Sequence, residues 1–314
     1  MRNPFNAWTR LPLICLGLAS IGLAGCGPEQ PEQSAEPTLQ WAEMQDASTR
    51  VLSITGLSGP EAVRYDPDQD VYFIANFNGD SGSRDGNGFI SRVRAEDGHV
   101  ETQQFMVGTE QAPLHAPRGM MLVDNTLWVA DIDGIHGFNR TDGSHVAFID
   151  FSAFEPGFLN DVAAGPDGTL YVSDTGRSRI YRVDGDTVSI AVEGEAIGPP
   201  NGITWAPGEP YLRIAPWAGG GGIIRGWNPS DGTVTELTAS IGDRVDGIEV
   251  MGTTVVAAVQ SDSSIYAVHD GQIFRAIQVE GRPADIAIDT RRSRVAVPYI
   301  ALNRVDIWAL PQTP

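Results

Sequence analysis

Lysine is absent from this 314-residue chain: all 21 basic residues are arginine, set against 40 aspartates and glutamates. The formal charge of −19 disfavours nucleic acid and anionic lipid surfaces as partners, because a field of that sign repels both. Missing lysine with abundant acid fits a salt-loving host and fits a GC-rich genome equally well. Cysteine is scarce, with only Cys15 and Cys26 present. Downstream of them no disulfide is available, so the domain must stand on its core, which a chain of this length can build. Beyond the first 26 residues no 11-residue stretch carries apolar residues at helical spacing, which argues against a helical fold.

What is present begins with an ordered N-terminal segment. Arg2 and Arg10 are its only charges, and an apolar run from Leu11 to Leu23 follows, too short to span a bilayer. It closes on Leu23-Ala24-Gly25-Cys26, which resembles the bacterial lipobox, so residues 1–25 are expected to be a lipoprotein signal peptide and Cys26 the lipidated first residue. Gly27 rather than Asp follows the cysteine, and the expected place is the periplasmic side of the cell envelope, at the outer membrane before the inner. Residues 26–48 continue with Pro, Glu, Gln and Ser, the composition of a solvated tether.

From residue 49 onward the pattern is β. Leu159–Val183 reads as an apolar run, a Gly-Pro-Asp-Gly turn, a second strand over Thr169–Ser173, a polar turn and a third strand over Arg179–Val183. One such meander cannot bury both faces, and it recurs in degenerate form. The strand-opening residues are Glu61, Arg118, Asn160, Asn201, Asp246 and Ala284, spaced 38 to 57 residues apart. That period predicts an all-β, six-bladed β-propeller over residues 49–314 with four-stranded blades. The sixth repeat is one strand short, while Val51–Leu57 has no repeat of its own. The N-terminal strand is therefore expected to close the last blade, leaving no open edge. Asn76–Gly88 reads as a long surface loop lacking EF-hand spacing. Trp217–Gly222 reads as a flexible connection or a close backbone approach, and Asp131 and Asp174 read as turn caps.

In a propeller the inner strands line the channel, so the six openers converge. Four of them, Glu61, Asn160, Asn201 and Asp246, present oxygen, the ligand that hard cations such as Ca²⁺ prefer. No cysteine and no second histidine joins them, which argues against zinc or copper in that set. The same residues also suit a channel that only hydrogen-bonds water.

These stretches resemble the regucalcin/gluconolactonase-like six-bladed propellers, with diisopropylfluorophosphatase and paraoxonase as more distant relatives. The resemblance rests on Glu61, on Asn160-Asp161 in LNDVAAGPDGTLYVSD, on Asn201-Gly202 in PNGITW and on Asp246-Gly247 in VDGIEV. It implies that Glu61, Asn201 and Asp246 bind a catalytic divalent metal, with Asn160 and Asp161 in the same pocket contacting substrate or water. Two departures stand out: Ala62-Val63 follow Glu61 where the family has Gly-Pro, and Phe158 stands where sugar-lactone members carry a substrate-gripping arginine. Arg118 could supply that cation or balance Glu61 and Asp246, and His115 could serve as an acid or base or lie in a surface loop. The expected function is Ca²⁺-dependent hydrolysis of a lactone or ester by a monomer. Asp246 is the expected base or nucleophile, and Arg118, Phe158 and His115 are expected around the substrate. The rival expectation is a non-catalytic propeller of the NHL type that serves as a docking module.

Overall fold

Each apolar run becomes a strand because its Gly-, Asn- and Asp-rich neighbours supply the turns. In the computed structural model, which describes residues 49–310, twenty-four strands (β1–β24 in chain order) form six four-stranded antiparallel sheets. The inner strands are β2 (Pro60–Asp66), β6 (Met120–Val123), β10 (Leu159–Ala164), β14 (Pro200–Thr204), β18 (Val245–Met251) and β22 (Ala287–Asp289). The protein is a six-bladed β-propeller. The expected signal peptide, Cys26 and the tether lie outside the described residues.

Strand periodicity explains how the blades hold one another. On β19 (Thr254–Val259), Val256 and Ala258 face the last blade, packing with Ile288 and Val295. Val255, Ala257 and Val259 face the other way and pack with Ala215 and Ile224 of the fourth blade. On β3 (Val71–Asn76), Tyr72 and Ile74 join Ala296 and Val305, whereas Val71, Phe73 and Ala75 join Leu127 and Val129. A strand apolar on both parities is thus buried on both faces, and one apolar cluster fills each gap between neighbouring blades. Burial falls outward: β3 is wholly buried, whereas β5 (Val100–Val107) exposes most of its length.

The ends close as expected. In the last blade β1 (Thr49–Ile54) pairs with β24 (Arg304–Ala309), in register from Thr49 with Ala309 to Ile54 with Val305. Leu57, just beyond β1, is buried in the same interface. Around the channel, Asp285 N–H donates to the Glu61 carbonyl at 2.9 Å and Val63 N–H to the Asp285 carbonyl at 3.1 Å, joining sixth blade to first. Trp217–Gly222 proves to be a close approach: a Cβ on Gly222 would meet the Gly242 carbonyl oxygen at 1.6 Å.

Candidate functional site

The openers are aimed by a repeated irregularity. Leu159 pairs with Asp174 and Val162 with Val172, so two inner-strand residues, Asn160 and Asp161, oppose the single Ser173 on the next strand. The same slip occurs between Pro60 and Ala62, Pro200 and Ile203, and Val245 and Ile248. Glu61, Asn160-Asp161, Asn201-Gly202 and Asp246-Gly247 therefore sit in bulges, which bend a strand end and re-aim its side chains. The loops that lead into three openers are latched by a residue at the end of the second strand or, for Asp131, just beyond it. Asn76 accepts from Ser58 N–H at 2.9 Å, Asp131 from His115 and Ala116 N–H at 2.7 Å each, and Asp174 from Gly157 and Phe158 N–H at 3.0 and 2.8 Å. Asp131 and Asp174 are the caps that the sequence suggested. Glycine after an opener lets the neighbouring blade in: a Cβ on Gly119 would fall 2.1 Å from Asp161 Oδ1, and one on Gly247 would fall 2.4 Å from Asp285 Oδ1.

Glu61, Arg118, Asn160, Asn201 and Asp246 are all buried. Glu61 Oε2, Asn201 Oδ1 and Asp246 Oδ1 have no hydrogen-bond partner. Asp246 uses its other oxygen to accept from Gln260 Nε2 at 2.5 Å. Burial, then the charge of Asp246, pushes the Glu61 carboxyl well above its ordinary range against the pull of Arg118. Burial raises Asp246 to about 7, opposed by the Gln260 hydrogen bond and reinforced by Asp161. Three orphaned oxygens from three blades, two of them on carboxyls that resist ionisation, fit the donor set of a hard cation.

Asp161 is occupied differently. Its oxygens accept from Val162 N–H at 2.7 Å and from Ile203 N–H at 2.8 Å, tying the third blade to the fourth. Burial lifts its pKa to about 7, with Arg64 opposing. Arg64, Glu249, Asp285 and Gln260 were not anticipated. Arg64 pairs with Glu249 across the channel and donates to the Met120 carbonyl at 2.6 Å. Asp285 is raised well above its ordinary range by burial and by Asp161, against Arg64. A signal existed: Arg64 and Glu249 each stand three residues after an opener, the spacing that a one-residue bulge brings back into phase.

Arg118 is fully buried, stacked 4.0 Å over the Phe158 ring and 5.7 Å over Phe77, with Nη2 donating to the Ser81 carbonyl. Its Nε and Nη1 have no partner, and burial lowers its pKa despite the attraction of Glu61. The 76–88 loop is thus more than a surface connection, since it forms the rim over Arg118. His115 is committed to that rim: Nδ1 accepts from Gly86 N–H at 3.0 Å, and Nε2 lies 3.7 Å from Asp133 Oδ2. Asp131, Asp133 and His136 form a further cluster whose ligand atoms all lie within 4.8 Å of one another.

No family model and no curated protein matches the chain. Solved structures share its architecture. A gluconolactonase from Xanthomonas campestris is 17% identical, with TM-score 0.66 over 91% of this chain and 98% of the other. Virginiamycin B lyase from Staphylococcus aureus is 14% identical, with TM-score 0.58 over 84% and 100%. A chain of a nidogen/laminin complex is 18% identical, with TM-score 0.56 over 69% and 80%. At these identities the likeness is one of fold.

Proposed function

We propose that the chain is a metal-dependent hydrolase of a lactone or ester, with Ca²⁺ held at the channel mouth by Glu61, Asn201 and Asp246 beside Asn160. One observation carries this reading: three buried oxygens from three blades stand unpartnered, a set that a docking surface does not need. The gluconolactonase of the same fold supports it. When bound, a hard cation acts as a Lewis acid on a carbonyl oxygen and offsets negative charge that develops there.

The residues supply the rest. Gln260 holds one oxygen of Asp246 and leaves the other free. Ionised beside the cation, Asp246 would take the proton from an attacking water, and direct attack by the same carboxylate is equally compatible with the geometry. Asp161, bonded to main chain on both oxygens, fixes the bulge that presents Asn160. Phe158 and Phe77 give the rim an apolar wall around the Arg118 cation. Such a wall favours a lactone or ester poorer in hydroxyl groups than a sugar acid. A lyase reading is weaker: a histidine-to-alanine variant of virginiamycin B lyase is inactive, whereas His115 is committed to the rim.

Calorimetry with Ca²⁺ and a chelator series over a panel of lactones and aryl esters test the proposal. The expected result is one Ca²⁺ per chain, with turnover that stops on chelation and returns with Ca²⁺. No Ca²⁺ heat and no chelator effect on melting would overturn it. Arg118 would then be the charge that neutralises the channel carboxylates, and the docking reading would take its place. We further propose that Cys26 anchors the protein in the envelope. Intact-mass measurement should find an acylated N-terminus at Cys26, and an unmodified N-terminus elsewhere refutes the anchor.

A further inference from the structure

We propose a second metal site, for a borderline ion such as Zn²⁺, made by Asp131, Asp133 and His136 of the second blade. The three residues lie within Asp131-Ile132-Asp133-Gly134-Ile135-His136, the turn from β7 (Thr126–Ala130) into β8 (Gly134–Asn139). Asp131 and His136 are wholly buried. His136 Nε2 and Asp133 Oδ1 are both buried and have no hydrogen-bond partner. His136 Nε2 lies 3.5 Å from Asp131 Oδ2. Tetrahedral zinc with bonds of about 2.0–2.1 Å separates its ligand atoms by roughly 3.4 Å, so this edge already has the right length.

Each ligand is also oriented from behind, as metal ligands generally are. The Asp131 carboxylate accepts from His115 and Ala116 N–H, which leaves each oxygen a second lone pair. Asp133 Oδ2 is held by Arg84 at 2.8 Å, which leaves Oδ1 free. His136 Nδ1 lies 3.0 Å from His145 Nε2. When His136 supplies the hydrogen of that contact, its Nε2 lone pair confronts the Asp131 carboxylate, an arrangement that calls for a cation between them. When His145 supplies it, the Nε2 hydrogen faces Asp131 across 3.5 Å without forming a sound hydrogen bond. Phe148 packs 4.7 Å from the His136 ring on one side, and the partly exposed Asp133 leaves room for water as a fourth ligand.

One nitrogen and two oxygens are a softer set than the all-oxygen mouth, so the two sites should sort Zn²⁺ from Ca²⁺. The second site bears on the rim through two residues. Arg84 on Asp133 belongs to the 76–88 loop, whose Ser81 carbonyl holds Arg118, and His115 on Asp131 leads directly to Arg118. An ion here would fix the turn on which that loop rests.

The test is Zn²⁺ calorimetry on Ca²⁺-saturated protein, Co²⁺ absorption spectra, and trypsin cleavage after Arg84 with and without Zn²⁺. The wild type should bind one Zn²⁺, show Co²⁺ bands of a nitrogen-containing site and be cut more slowly when loaded. His136→Gln and Asp133→Ala should each weaken Zn²⁺ at least a hundredfold, whereas Asp246→Asn should retain it. If His136→Gln does not fold, Asp133→Ala, at the least buried of the three positions, carries the comparison. Zn²⁺ heat unchanged by Asp133→Ala, or abolished by Asp246→Asn, overturns the proposal.

Discussion

Glu61, Asn201 and Asp246 each leave a buried oxygen without a partner, and a buried unpaired polar group destabilises a fold by about 1–3 kcal/mol. Folding tolerates that penalty most readily where a ligand removes it. We predict that Asp246→Asn, which keeps an oxygen but loses the charge, lowers turnover by about 10²–10⁴-fold, the usual contribution of a positioned acid or base. In metal-free protein the same change should leave the melting temperature equal or higher, because a charge that repels Glu61 is gone. Kinetics and thermal melts on one preparation separate the two effects, and a loss of folding that matches the loss of activity counts against the assignment. Gly119 makes a different residue-scale case. Its Cβ would lie 2.6 Å from the Asp161 Cα as well as against the carboxylate, so no rotamer relieves the clash. Gly119→Ala should destabilise by about 3 kcal/mol, the upper end of overpacking, as read by urea melts.

At the scale of elements, the bulge is the device that turns a strand end into a ligand carrier, and β1 is the one that closes the ring. Removing residues 27–45 should leave melting nearly unchanged, whereas removal through Leu57 unpairs β24 and strips Ile54 and Leu57 from the interface between last and first blades. Each of those two side chains contributes about 1.5–3 kcal/mol when buried, and the freed edge invites aggregation. Equal melting temperatures for the two truncations would show that β1 does not hold the ring. This closure was legible because a missing strand at one end and a spare strand at the other are countable in sequence. The openers were legible because a repeat places them at one phase. Arg64 and Glu249 were legible only to a reader who allowed for the bulge after each opener, which no residue type announces, and Asp285 follows an opener, Ala284, that offers no polar group of its own. Arg64 and Glu249 also lie 185 residues apart. His136 was hidden for a related reason: it sits within a strand, and only the fold brings its Nε2 against the turn aspartates.

For the whole molecule, pH, calcium and net charge act on the same carboxyls and must be separated. Asp161 and Asp246 are raised to about 7, and Glu61 and Asp285 well above their ordinary ranges, mainly by burial. A folded state that holds protons which the unfolded chain releases has this contribution in full below pH 4 and loses it as pH rises through about 7. Metal-free protein should therefore lose stability from pH 5 to 8, while Ca²⁺, which needs the ionised forms, should bind more tightly and release protons over the same window. Other groups work in the opposite direction: Asp70 is held low first by the Arg292 hydrogen bond, and on Asp131 burial is outweighed by the nearby His136 imidazole and the His115 and Ala116 N–H groups, which lower it. On Asp131 the hydrogen bonds are those of His115 and Ala116 N–H, and His136 acts only by its nearness at 3.5 Å. These groups stabilise the fold above the carboxyl range, so the informative quantity is the melting difference between Ca²⁺ and chelator at each pH, in which they cancel. At a hundredfold excess over its dissociation constant Ca²⁺ adds about 2.7 kcal/mol, a shift of roughly 5–10 °C for a domain of this size. A chain of charge −19 also gains from simple screening, so NaCl at matched ionic strength is the control. The difference should be small at pH 5, full at pH 8 and reduced in Asp246→Asn, which keeps an oxygen ligand but loses its charge. A Ca²⁺ shift as large at pH 5 as at pH 8, or one that NaCl reproduces, would mean that calcium screens the acidic surface and leaves Glu61, Asn201 and Asp246 untouched.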